Sequence, residues 1–221
     1  MSKLFLLRHS KSNWNTQKRF AGWGNNPLST EGIEQVKEVA PKVANEKIDV
    51  IYSNGLVRCL ETVTRVFEHI PDRYPVFSYI DGGKMQEWGR YTAQSGDVPV
   101  YVSDALNERY YGDLQGVPHE EVRKQVGEEQ VHLWRRSYDQ RPPGGESMKD
   151  TYERVMPFFK KHILKNLQEG KNVLVVASGN SLRSMVKHLE NMPDEETVNF
   201  ELPFGAFVAY EFDGGNFKKV Q

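Results

Sequence analysis

The sequence predicts a three-layer α/β fold in which a mostly parallel central sheet is flanked by helices. Three observations point there. Short apolar runs of strand length alternate with longer stretches of helical character. The strongest run, Val173-Leu174-Val175-Val176, leads directly into a helical stretch. Polar clusters follow three of the expected strands, at the carboxyl ends where such sheets bind ligands.

Taken in order, Lys3 to Arg8 reads as a buried strand, because Leu4-Phe5-Leu6-Leu7 offers no polar face. Ser29 has an acceptor side chain to cap a helix running towards Glu46, with Pro41 expected to interrupt it. Asp49 to Tyr52 is a second strand and Leu56 to Ile70 a second helix. Ile80 to Ser103 reads as a loop, since Asp81-Gly82-Gly83 and Ser95-Gly96-Asp97 are turn signals. Its length marks it as a lid or an embellishment. A third helix is expected over about His119 to Tyr138, followed by a loop at Gln140 to Gly145. A fourth covers about Ser147 to Leu167, stepped at Pro157. The strand Asn172 to Ala177, a fifth helix over Asn180 to Asn191 and a last strand over Gly205 to Asp213 complete the series. No repeat or low-complexity linker divides residues 1–221, so one domain is expected.

Composition narrows the function. Twenty-nine Lys+Arg against thirty Asp+Glu leave a net charge of −1, which argues against a broad basic surface for nucleic acid or anionic membrane. Cys59, the single cysteine, excludes an internal disulfide, and the histidines lack the spacing of a metal site. No run approaches the roughly 18 apolar residues of a membrane span, and Leu4 to Leu7 is too short for a signal core. A cytoplasmic enzyme or binding protein is the expected class, with a homo-oligomer left open.

The strand-end clusters are Arg8-His9-Ser10, Ser53-Asn54 leading to Arg58, and Ser178-Gly179-Asn180. A histidine among arginines and small donors suits phosphoryl chemistry: imidazole attacks phosphorus while guanidinium groups neutralise its oxygens. Each residue also has a plainer reading. His9 alone is more often a buried, satisfied histidine, and Arg135-Arg136 a solvated helix face. Glu108 alone is a surface carboxylate or a cap, Tyr111 and Trp134 are core or rim aromatics, and Cys59 is a small buried residue.

The ordered set changes that balance. Leu6-Leu7-Arg8-His9, Ser12 to Asn15, Arg19-Phe20-Ala21-Gly22-Trp23, Leu106-Asn107-Glu108-Arg109-Tyr110-Tyr111, Trp134-Arg135-Arg136, Gly144-Gly145-Glu146-Ser147 and Ala177-Ser178-Gly179-Asn180-Ser181-Leu182-Arg183 span nearly the whole chain. In this order they resemble the cofactor-dependent phosphoglycerate mutases of the histidine phosphatase superfamily, enzymes of glycolysis and gluconeogenesis. The resemblance implies the phosphoglycerate mutase-like α/β fold, with His9 as the nucleophile that takes a phosphoryl group from 2,3-bisphosphoglycerate. Arg8 and Arg58 would clamp that group, and Glu108 would act as acid and base. Ser12, Asn15, Gly22, Tyr111, His119, Arg135, Arg136 and Asn180 would hold a small phosphorylated acid, with no metal required.

Departures fall at the centre. Where the family has a second histidine, this chain has Ser178, which brings no charge. Such a loss costs on the order of 3 kcal/mol, about a hundredfold in rate. Ser10 replaces a glycine, and His119 stands where the family has a lysine. The Arg58 to Glu108 interval is longer than the family's, which places an insertion around 80–103, and the family's C-terminal tail is not matched. Lys84, Trp88, Arg90 and Tyr91 of the insertion are expected to serve as a lid. Three readings stand: a mutase interconverting 3- and 2-phosphoglycerate at altered or reduced rate, a phosphatase, or an inactive relative that binds phosphorylated ligands or a protein.

Overall fold

The computed structural model describes residues 1–220. The elements run β1 (Ser2–Arg8), α1 (Asn13–Thr16), α2 (Thr30–Ala44), β2 (Val50–Ser53), α3 (Val57–Phe67), β3 (Tyr74–Tyr79), α4 (Gly83–Trp88) and β4 (Asp97–Val102). They continue with α5 (His119–Val126), α6 (Glu128–Arg136), α7 (Met148–Phe158), α8 (Leu164–Gln168), β5 (Val173–Ala177), α9 (Gly179–Leu189), α10 (Asp194–Asn199), β6 (Phe207–Asp213) and β7 (Asn216–Lys219).

One seven-stranded sheet has the order β3-β4-β2-β5-β1-β6-β7. Its first five strands are parallel, and β6 and β7 are antiparallel additions. β1 lies between β5 and β6, with Leu4 opposite Val173 and Arg8 opposite Ala177. The period-two geometry of a strand then divides its apolar run between two layers. Leu4 and Leu6 pack with α7 and α9 residues such as Val155, Leu182 and Met185. Phe5 and Leu7 pack on the other face with Val36, Val43 and Val63 of α2 and α3. A small third cluster, Phe20, Leu114, Val122 and Val131, supports the segment above the strand ends. Burying each large apolar side chain contributes about 1.5–3 kcal/mol, so β1 is held firmly where its C-terminus opens into the site.

Several expectations are corrected. Pro41 does not interrupt α2: it sits on the exposed face near the helix's C-terminal end, where one missing hydrogen bond is tolerated. Residues 80–103 are not a plain loop, since they contain α4 and β4, and β3 precedes them. Pro75 and Pro99 obscured these strands. Pro75 is on the edge strand, and the β2 ladder of β4 starts at Val100, just beyond Pro99. The helix expected over His119 to Tyr138 is two helices, because Gly127 at φ +86 breaks it. The step at Pro157 takes the form of a π turn, Phe159–Ile163, before α8. The last strand begins at Phe207 rather than Gly205, and β7 follows it.

Candidate active site

β1 ends at Arg8, and the His9 amide donates to the Ala177 carbonyl at 3.1 Å, which fixes His9 where β1 and β5 end together. His9 Nδ1 lies 2.7 Å from the Ser10 carbonyl. A carbonyl only accepts, so Nδ1 carries the proton and Nε2 keeps its lone pair. Nε2 faces the Nε of Arg58 at 3.3 Å. Burial, then Arg58 and Arg8, hold the His9 pKa well below the usual histidine value, so the ring is neutral at pH 7.

Arg58 is placed by α3, and its terminal nitrogens donate to the carbonyls of Gly24 at 2.9 Å and Gly22 at 2.7 Å. Gly22 stands at φ +45, and a Cβ there would meet Gln115 Oε1 at 2.9 Å, so the bend needs glycine. Arg8 extends under Phe204, its guanidinium carbon 3.8 Å from the ring centroid, and donates to the Leu202 carbonyl. A Cβ at Gly179 would come within 3.2 Å of that guanidinium, so glycine here allows the close approach.

Glu108 follows a short 3-10 turn and is gripped by its surroundings. Trp23 and Arg154 donate to its carbonyl, and Arg154 is paired with Glu146 at 2.8 Å. The Glu108 carboxylate accepts from the amides of Arg109 at 2.7 Å and Asn180 at 3.2 Å. It therefore sits at the N-terminus of α9, where a negative charge is favoured. The carboxylate thus caps the first turn of α9 and also lines the cavity described next.

Beyond these groups opens a cavity of about 480 Å³. Of the expected residues it is lined by Arg8, Asn15, Gly22, Glu108, Tyr111, His119, Arg135, Arg136 and Asn180. Asn180 donates to the Tyr111 hydroxyl at 3.4 Å and accepts from Arg183 at 3.1 Å. Arg136 is tied to the Val198 carbonyl at 3.2 Å and to Glu201. His119 lines the cavity against Phe20, ring centroids 4.3 Å apart, its pKa lowered to about 4 by burial and by Arg135, Arg123 and Lys18. Near neutral pH it therefore brings no charge of its own.

Four expected residues do not line the cavity: His9, Arg58, Ser12 and Ser178. His9 and Arg58 lie just beneath, at 2% and 1% exposure. Ser12 acts indirectly, because its hydroxyl is committed to the capping box with Asn15 that opens α1. Ser178 is fully buried, and its hydroxyl meets Cys59 Sγ at 3.8 Å rather than His9. The lid expectation is also corrected: Lys84, Trp88, Arg90 and Tyr91 lie in the exposed stretch 81–95, and none lines the cavity.

Sequence reasoning missed Arg19, Arg109 and Arg183 on the cavity wall, although all three stood inside the quoted motifs, and it missed Lys18, Arg123 and Phe204. Eight cationic side chains and only two carboxylates, Glu108 and Glu201, line the space. The Nε atoms of Arg8, Arg109 and Arg183 are buried without a partner. Burial lowers the pKa of Arg183 to about 10 and also lowers those of Arg8, Arg58 and Arg135; a guanidinium nonetheless keeps its proton in proteins. Such a set fits a multiply charged anion bearing oxygen acceptors. Among the described residues no group of three or more His, Cys, Asp or Glu side chains is arranged to hold a metal, and no helix is long and apolar enough to cross a membrane.

The fold and site define a class of α/β protein with an arginine-lined cavity next to a buried neutral histidine at the strand ends. The sequence model of the histidine phosphatase superfamily (branch 1) matches residues 4–78 and 85–221, and the chain belongs to that superfamily. It is 43% identical over 222 residues to a 2,3-bisphosphoglycerate-dependent phosphoglycerate mutase of Methanococcus vannielii, covering 100% of this chain and 94% of the relative. The protein of the same name from Chlamydia pneumoniae is 44% identical, covering 99% and 97%. Among solved structures, a mycobacterial glucosyl-3-phosphoglycerate phosphatase superposes with a TM-score of 0.78 at 19% identity, covering 100% of this chain and 98% of that one. The α-ribazole phosphatase of Shigella flexneri gives 0.76 at 21% identity, covering 99% and 94%. At these identities the structural likeness shows the shared fold.

Proposed function

We propose that the protein is a 2,3-bisphosphoglycerate-dependent phosphoglycerate mutase that interconverts 3- and 2-phosphoglycerate through a phosphoryl group carried on His9. The observation that carries this reading is the excess of cationic over acidic side chains lining a cavity whose wall residues Gly22 and Phe204 contact Arg58 and His9. The full-length identity to proteins bearing that name supports it.

2,3-Bisphosphoglycerate, when bound, supplies the first phosphoryl group. His9 Nε2 offers the lone pair, with Nδ1 anchored on the Ser10 carbonyl. Arg58 and Arg8 neutralise the phosphoryl oxygens. Arg58 keeps its hold on the Gly22 and Gly24 carbonyls, so its charge is preorganised. Glu108 holds and returns the proton of the substrate hydroxyl. Arg135, Arg136, Arg109, Arg183, Asn15, Tyr111 and Asn180 orient the phosphate and carboxylate of the substrate. His119 gains its proton when an anion sits beside it. Ser12 positions Asn15.

Ser178 adds no charge to the phosphoryl group in transit, and the Ser10 hydroxyl is buried without a partner. The missing charge at Ser178 supports a reduced rate. We further read residues 1–221 as one working unit that acts in the cytoplasm. In that unit 80–103 is an insertion, exposed over 81–95; the break in the family match, 79–84, overlaps only its start.

The test is phosphorus NMR of 3-phosphoglycerate with the protein, primed by 2,3-bisphosphoglycerate. Appearance of 2-phosphoglycerate is the expected result. Release of inorganic phosphate alone makes the protein a phosphatase, and neither change makes it a binding relative.

A further inference from the structure

Phe204 has no part in the chemistry above, yet it touches both groups at its centre. Its ring centroid lies 5.7 Å from that of His9, with the planes 45° apart, and 3.8 Å from the Arg8 guanidinium carbon. The contact is fixed from both sides. The Gly205 amide donates to the Arg8 carbonyl at 3.2 Å, the Arg8 amide donates to the Ala206 carbonyl at 3.0 Å, and the Arg8 side chain holds the Leu202 carbonyl. Gly205, at φ +71, lets the chain turn there. The ring is thus tied to the strand end that presents the nucleophile. It forms part of the cavity wall, while His9 behind it is 2% exposed.

We propose that Phe204 selects the acceptor of the phosphoryl group, keeping bulk water from the His9–Arg8 corner so that a bound organic hydroxyl is used instead. This rests on the reading of His9 as the phosphoryl carrier. In either outcome a new P–O bond forms, the Nε2–P bond breaks, its electron pair returns to Nε2, and the acceptor proton goes to Glu108. The acceptor oxygen belongs to the substrate hydroxyl in one case and to water in the other. An aromatic ring suits the task because it gives water no strong hydrogen-bond partner. Its face also attracts the Arg8 cation and keeps that charge in place. Excluding water strengthens every charge interaction inside the site.

The test compares the parent with Phe204→Leu, Phe204→Val and Phe204→Ala in two measurements. In the first, protein phosphorylated by 2,3-bisphosphoglycerate is desalted and the loss of acid-labile phosphate is followed. Phe204→Ala is expected to shorten the phosphoenzyme lifetime about tenfold or more, Phe204→Val less, and Phe204→Leu little. In the second, carbethoxylation of His9 by diethyl pyrocarbonate is read by peptide mass, which needs no phosphorylation. The same order is expected, fastest in Phe204→Ala. Should the alanine variant not fold, Phe204→Val decides. A parent that takes no phosphate refutes the mutase reading, and carbethoxylation then judges the shielding by itself. Carbethoxylation rates equal to the parent's in the smaller variants, or unchanged phosphoenzyme lifetimes, overturn the proposal.

Discussion

Nε of Arg58 donates to Nε2 of His9 across 3.3 Å, so the lone pair proposed to attack phosphorus is held by the cation proposed to steady the product. The pair is buried, and the same guanidinium ties down the carbonyls of Gly22 and Gly24. An entering phosphoryl oxygen has to take the Nε donor from His9, which frees the nucleophile as the anion arrives.

Arg58→Met is therefore expected to fail twice. Two buried carbonyls lose their donors, and stability falls by about 2–4 kcal/mol in urea unfolding. Phosphohistidine formation falls by about a hundredfold or more. A variant within about 0.5 kcal/mol of the parent contradicts the strut role.

The cationic wall makes the folded state ready to bind anions. Phosphate is expected to stabilise the folded state by about 2.7 kcal/mol at a hundred times its Kd, and so to raise the melting temperature beyond the effect of sodium chloride at equal ionic strength. Arg183→Gln, which also frees Asn180, is expected to diminish that gain. Equal shifts from both salts, measured by calorimetry, count against a specific site.

Acid sensitivity has a defined sign. His9 and His119 both have folded pKa values below the unfolded value near 6.5, that of His119 at about 4. Between those limits the unfolded chain binds more protons, so stability is lost as pH falls from about 6.5 towards 4. A lower melting temperature at pH 5.5 than at 7.5 is expected, and a flat profile contradicts it. Near pH 6, binding of sulfate, which does not itself titrate there, is expected to take up protons at His119, which faces Arg135, Arg123 and Lys18, and His119→Gln removes that uptake in calorimetry across buffers.

Much of this architecture was legible because β1 and β5 are unbroken apolar runs and their polar ends are short. The rest was hidden for physical reasons. Pro75 and Pro99 mask β3 and β4, and Gly127 at φ +86 splits one amphipathic stretch into α5 and α6. His9, Arg58 and Glu108 were found as motif residues and lie together. Arg109 and Arg183 have no signal of their own, since an arginine beside a motif looks the same whether it faces water or a cavity. Phe204 follows a proline and precedes a glycine, so it reads as a turn residue; only the folded chain brings it to His9.

Ser178 tests the departure from the family. Ser178→His is expected to raise mutase turnover by about a hundredfold, because it returns a charged donor at the end of β5. Because the Ser178 side chain packs on Cys59, the variant is best made with Cys59→Ala to give room. Unchanged turnover in a folded double variant means that the missing histidine does not limit the site.

The most direct test of the central claim is the phosphoryl group itself. Incubation with 2,3-bisphosphoglycerate, followed by peptide mapping under alkaline conditions, is expected to place one acid-labile phosphate on His9 and none in His9→Asn. Failure to find phosphohistidine in the folded parent, or its appearance on another residue, contradicts the account.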